Sequence, residues 1–117
     1  MSAAERPCLL VCTGKDCRDA KGFTALMELA RELPGGVEVP CQSLCHGPIA
    51  GVVTSSGVRW VSRVRTKQAR HRVGRAVERG RLGSTLRAEE VRSRRGVVRG
   101  AGRARFVRSG RTVNAFG

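Results

Sequence analysis

The sequence predicts a small α/β domain in the order strand, helix, strand, strand, strand, helix, followed by a basic tail. Three observations carry this: short apolar runs bounded by turn residues, two amphipathic stretches at helical spacing, and a change of composition after Gly80. A chain of 117 residues suits one domain with at most an extension. Its core must be aliphatic, because Phe23, Trp60, Phe106 and Phe116 are the only aromatics.

The first strand is Cys8-Leu9-Leu10-Val11-Cys12, an unbroken apolar run suited to burial on both faces. Thr13-Gly14-Lys15-Asp16 has loop chemistry, and Asp19 is placed to cap the next helix. In that helix Phe23, Leu26, Met27, Ala30 and Leu33 recur on one face, and Pro34-Gly35-Gly36 stops it. Val37-Glu38-Val39 alternates as a second strand, and residues 41–48 read as a loop. Ile49–Thr54 and Val58–Val64 form a hairpin about Ser55-Ser56-Gly57, with Val58, Trp60, Ser62 and Val64 on one face. Thr66 caps a second helix, with Ala69, Val73, Ala76 and Val77 on one side and Gly80 as its stop.

Residues 1–80 are thus the domain and residues 81–117 an arginine-rich tail. Thr85–Arg95 can form a short helix; beyond it the apolar content is too low for independent folding, which predicts a mobile segment. The net charge is +14, and the tail's ten arginines against Glu89 and Glu90 contribute +8 of it. Such a surface attracts nucleic acid or acidic proteins. With only Phe106 and Phe116 to stack on bases, and no known nucleic-acid module, nucleic acid is not the favoured partner. No apolar run approaches the ~20 residues of a membrane span, and Met1–Arg6 lacks signal-peptide layout. The expectation is a cytoplasmic protein without a membrane partner. No nucleophile–base arrangement or phosphate loop is present, so independent catalysis is not expected.

The five cysteines are the main functional pointer. Cys12 and Cys17 form a C-x4-C pair, and Cys41 and Cys45 a C-x3-C pair, each in a loop after a predicted strand. If those strands are neighbours, the loops meet at one end of the sheet. Four thiolates in two pairs suit a 2Fe–2S cluster, two per iron. Gly14 and Gly47 leave the backbone free to take positive φ and to point N–H groups at sulfur, with Lys15 and Arg18 as nearby positive charge. The plant-type and bacterial ferredoxin spacings, the thioredoxin C-x-x-C and a Rieske histidine pair are all missing. A structural zinc on the same quartet, four buried cysteines and a reversible disulfide remain alternatives. Cys8 reads as a core residue, Trp60 and Met27 as core, and His46 and His71 as exposed.

Val11-Cys12-Thr13-Gly14-Lys15-Asp16-Cys17 and Val39-Pro40-Cys41-Gln42-Ser43-Leu44-Cys45-His46-Gly47-Pro48 together resemble the thioredoxin-like 2Fe–2S ferredoxins, over residues 7–80. The interval between the two pairs is shorter than that family's usual one, and Cys45 lies one residue closer to Gly47-Pro48. The resemblance implies a thioredoxin-like, four-stranded mixed sheet with two helices. It implies a cluster on Cys12, Cys17, Cys41 and Cys45, one-electron transfer to a redox partner protein, and a homodimer. The alternative reading is a module stabilised by zinc or a labile cluster, using the basic tail to bind an acidic partner or nucleic acid.

Overall fold

The structure, a computed structural model, describes residues 6–44 and 46–113. Its centre is β1 (Leu9–Cys12), buried along its whole length. A strand with apolar residues on both faces is stable only with a covering layer on each side, and that requirement organises the molecule. β2 (Gly36–Val39) runs parallel to β1, with Leu9 opposite Gly36 and Cys12 opposite Val39. On the other side β3 (Ala50–Thr54) pairs antiparallel with β1 and forms a hairpin with β4 (Gly57–Val61). A short strand β5 (Arg105–Phe106) joins the free edge of β2, so the five-stranded mixed sheet has the order β4-β3-β1-β2-β5.

One face of the sheet is covered by α2 (Phe23–Glu32) and α3 (Lys67–Arg79). Leu26 and Ala30 of α2 and Val73 and Ala76 of α3 meet Leu9, Val11, Ala50 and Val52 there. Full burial of one such aliphatic side chain is worth about 1.5–3 kcal/mol. Thr66 caps α3 as its position predicts, its hydroxyl accepting from the Ala69 amide at 3.0 Å. Gly80 closes the helix in the left-handed conformation, at φ 69°.

The opposite face presents Leu10, Val37, Val39, Val58 and Trp60. Residues 91–113 cover it: Ala104, Phe106 and Val113 are buried there, and Val91 and Val98 pack alongside. The Trp60 indole donates to the Val97 carbonyl at 2.8 Å. The amides of Ser62, Val91 and Gly96 alternate with the carbonyls of Glu89, Trp60 and Val58, which satisfies the outer edge of β4. Glu90 clamps this edge, its carboxylate taking two bonds from Arg59 at 2.7 and 2.9 Å and others from Arg95.

Four local expectations differ from this structure. Where the sequence predicts a loop at 13–16, α1 (Lys15–Asp19) forms and carries Cys17. Asp19 does not cap α2; it pairs with Lys15 at 2.9 Å, and Gly22 holds the cap position at φ 92°. Val64 leaves the Trp60 face for the helix-covered one, because Arg63 turns the chain at φ 57°. The predicted short helix divides into α4 (Ser84–Arg87) and a 3-10 turn at Arg92–Arg94. The fifth difference is the largest: through residue 113 the arginine-rich segment is packed where the composition predicts mobility. Scattered apolar residues suffice there because the sheet already offers an apolar face. Among the described residues no helix is long and apolar enough to cross a membrane.

Candidate metal centre

Because β1 and β2 are parallel neighbours, their C-terminal ends lie side by side and deliver two loops to one place. Thr13 ties the first loop to the end of β2, both its amide and its hydroxyl donating to the Val39 carbonyl at 2.9 and 2.8 Å. Cys12 is the last residue of β1, Cys17 lies on α1, and Cys41 opens the loop after β2. Cys12 and Cys17 are buried and Cys41 is exposed. The fourth cysteine of the quartet, Cys45, lies outside the described residues.

Cys12 sits between the other two. Its thiol is lowered to about 6, first by the hydrogen bond from Cys17, with help from the Gly14 and Gln42 amides and from Cys41. Cys17 is pushed upward for the reciprocal reason, since it donates to Cys12, and burial adds to the effect. The Cys41 sulfur accepts from the Ser43 amide at 3.4 Å, where Ser43 adopts φ 58°. Cys8 stands apart, half-buried at the edge of the helix-side core, and burial raises its thiol. That agrees with its reading as a packing residue.

The two glycines singled out by the sequence press directly on sulfur. A Cβ at Gly14 would come within 2.9 Å of the Cys41 sulfur, and one at Gly47 within 2.9 Å of the Cys17 sulfur. Any side chain at either position would displace a cysteine. The Gly14 amide reaches the Cys12 sulfur from an extended backbone at φ −61°, not from the positive φ that the sequence suggests.

Sequence reasoning missed three residues that hold the second loop. Gln42 is completely buried. Its amide nitrogen donates to the carbonyls of Pro40 and Arg99 at 2.8 and 2.9 Å, and its oxygen accepts from the Arg99 amide at 2.8 Å. Arg94 donates to the Gln42 carbonyl at 2.5 Å, and Arg99 reaches the Ser43 hydroxyl. Residues 94–99 thus strap the loop that carries Cys41. A glutamine inside a cysteine loop was a usable signal; the partnering arginines, 52 and 57 positions away, had none.

The other Arg94 nitrogen, Nη2, is buried and has no hydrogen-bond partner among the described residues. A buried guanidinium nitrogen without an acceptor is costly, and an anionic group beside this loop would satisfy it. Lys15 is engaged with Asp19 at an exposed position. The cations at the loops are Arg94 and Arg99, on Gln42 and Ser43, and Arg65, which donates to the Gly47 carbonyl. His46 is exposed, its backbone carbonyl accepting from the Arg63 amide.

Among the described residues no three His, Cys, Asp or Glu side chains are grouped to hold a single metal ion. Cys12 instead interacts with both Cys17 and Cys41. A 2Fe–2S cluster asks for pairs, two thiolates per iron. The soft donor set, the glycines against sulfur and the unpartnered Arg94 nitrogen all fit such an anionic group. No protein-family model, curated protein or solved structure matches the chain.

Proposed function

We propose that the chain is a thioredoxin-like 2Fe–2S ferredoxin, a one-electron carrier whose cluster is held by Cys12, Cys17, Cys41 and Cys45. The observation that carries this reading is the meeting of Cys12, Cys17 and Cys41 where parallel β1 and β2 end. The mixed sheet, with a parallel β1–β2 pair and an antiparallel β3–β4 hairpin, is consistent with the mixed sheet that the resemblance implies. When bound, a 2Fe–2S cluster supplies a one-electron couple. The chain's own part is to bind and tune it. The Gly14 and Gln42 amides stabilise negative charge on Cys12, the Ser43 amide does so on Cys41, and Arg94 adds positive charge beside the loop.

The exposed position of Cys41 gives electrons a short route to a partner's surface, while Cys12 and Cys17 stay protected inside. A cytoplasmic setting, where free thiols persist, suits this use. The test is a set of serine variants at Cys17, Cys41 and Cys45, purified anaerobically and compared by visible spectrum, with Cys8→Ser as control. Loss or marked change of charge-transfer bands in the three, with Cys8→Ser unchanged, is the expected result. Wild-type protein that is colourless and holds one zinc per chain would replace this reading with that of a zinc-stabilised binding module.

A further inference from the structure

The arginines are not spread evenly over the surface. Between α3 and the segment 81–87 lies an open cavity of about 460 Å³. Arg72, Arg75 and Arg79, at i, i+3 and i+7, form one wall on a single face of α3. Arg81 and Arg87 form the other, together with the hydroxyl residues Ser84 and Thr85. Buried Ala76, Leu82 and Leu86 make an apolar floor that fixes the two walls relative to each other. No carboxylate lines the cavity; Glu78, the only acid of α3, is not among its lining residues.

Elsewhere three acids are matched to arginine: Glu38 with Arg105, Glu89 with Arg63, and Glu90 with Arg59 and Arg95. None of the five cavity arginines has an ion-pair partner among the described residues. Folding therefore gathers five like charges from two separate segments around one concavity, an arrangement that a multiply charged anion relieves.

We propose that this cavity binds a compact oligophosphate: the phosphoanhydride chain of a free polyphosphate or of a nucleoside triphosphate. Guanidinium groups present forked donors matched to phosphate oxygens, and hydroxyl side chains add single donors. The volume falls within the range of small-molecule sites. No Phe, Tyr or Trp lines the cavity and His71 is its one ring, so recognition rests mainly on the phosphates. Two facing walls enclose a compact ligand; an extended nucleic-acid strand would need a longer array. The site is separate from the cysteine loops, and the proposal stands whether or not a cluster is bound.

The experiment is isothermal titration of the full chain with sodium tripolyphosphate at low ionic strength, repeated with ATP and with a single-stranded oligonucleotide. Two double variants with equal charge change are compared, Arg75→Ala/Arg79→Ala in the cavity and Arg92→Ala/Arg108→Ala outside it. All four positions are exposed, so both variants should fold, which circular dichroism checks. The expected result is saturable one-to-one binding of tripolyphosphate. The cavity variant should weaken it by about 10-fold, and the outside variant by less than about 2-fold. Equal affinity for ATP would assign recognition to the phosphate chain alone, and tighter ATP binding would assign a nucleotide; both support the site. Lack of saturable binding, equal loss in the two variants, or binding of the oligonucleotide without tripolyphosphate would overturn the proposal.

Discussion

The two faces of the sheet are covered by different means. Over one lie α2 and α3, regular helices whose apolar stripes repeat at 3.6 residues, the second bounded by Thr66 and Gly80. Over the other lies an irregular run, residues 91–113, with two 3-10 turns and the two-residue strand β5. The helical layer is held by area: many aliphatic contacts, none decisive alone. The irregular layer is also fixed by specific polar links, among them the Trp60 indole to Val97, Gln42 to Arg99, and Glu90 to Arg59. Such a layer depends on a few groups, so single substitutions there should have concentrated effects.

The largest expected effect comes from removing that layer. A chain ending at Gly80 would expose Leu10, Val37, Val39 and Trp60 and leave the outer edges of β2 and β4 unpaired. We expect it to lose more than about 5 kcal/mol, beyond the range of single core truncations, and to lack a cooperative urea transition. A truncated chain that unfolds cooperatively at an unchanged midpoint would show the layer to be dispensable, as a mobile tail would be.

Next is Glu90, whose side chain is 1% exposed between Arg59 and Arg95. Glu90→Gln leaves Arg59 without its counter-charge and should cost about 3 kcal/mol in urea denaturation. The hydrogen bond from Arg59 holds the Glu90 carboxyl below its ordinary 4.5. A depressed carboxyl contributes its full stability above that ordinary value and loses it as pH falls through the lower folded value. Wild-type stability should therefore decline on acidification below about 4.5, with a shallower decline in Glu90→Gln. Parallel slopes would assign the acid sensitivity to other groups.

A smaller effect is expected at Gln42. Gln42→Leu keeps the bulk but strands the Arg99 amide and carbonyl, at about 1–3 kcal/mol. Because Gln42 adjoins Cys41, the variant should also lose iron faster to a chelator under anaerobic conditions. A stability loss with chelation kinetics unchanged would restrict Gln42 to a packing role.

The helical face was legible in the sequence and the other was not, for a physical reason. Phe23 to Leu33 and Ala69 to Val77 announce their partners through periodicity, a signal confined to neighbouring residues. Ala104, Phe106 and Val113 have no period; each is buried only because the sheet presents an apolar patch at its place. The clue lay in β1, where Leu9 and Val11 point one way and Leu10 and Cys12 the other. Two helices can satisfy only one of those directions. At the site, the C-x4-C and C-x3-C pairs and the two glycines were readable from spacing, and Cys12 interacts with both Cys17 and Cys41. The helix that carries Cys17, the Gln42 clamp and the Arg94 contact depend on tertiary structure, which spacing does not encode.

The most direct test of the central claim is the electron paramagnetic resonance spectrum of anaerobically purified protein after dithionite reduction, with iron and acid-labile sulfide measured on the same sample. The account predicts about two irons and two sulfides per chain, no signal before reduction, and one spin per cluster after it. A protein without iron or sulfide that stays silent on reduction would contradict it.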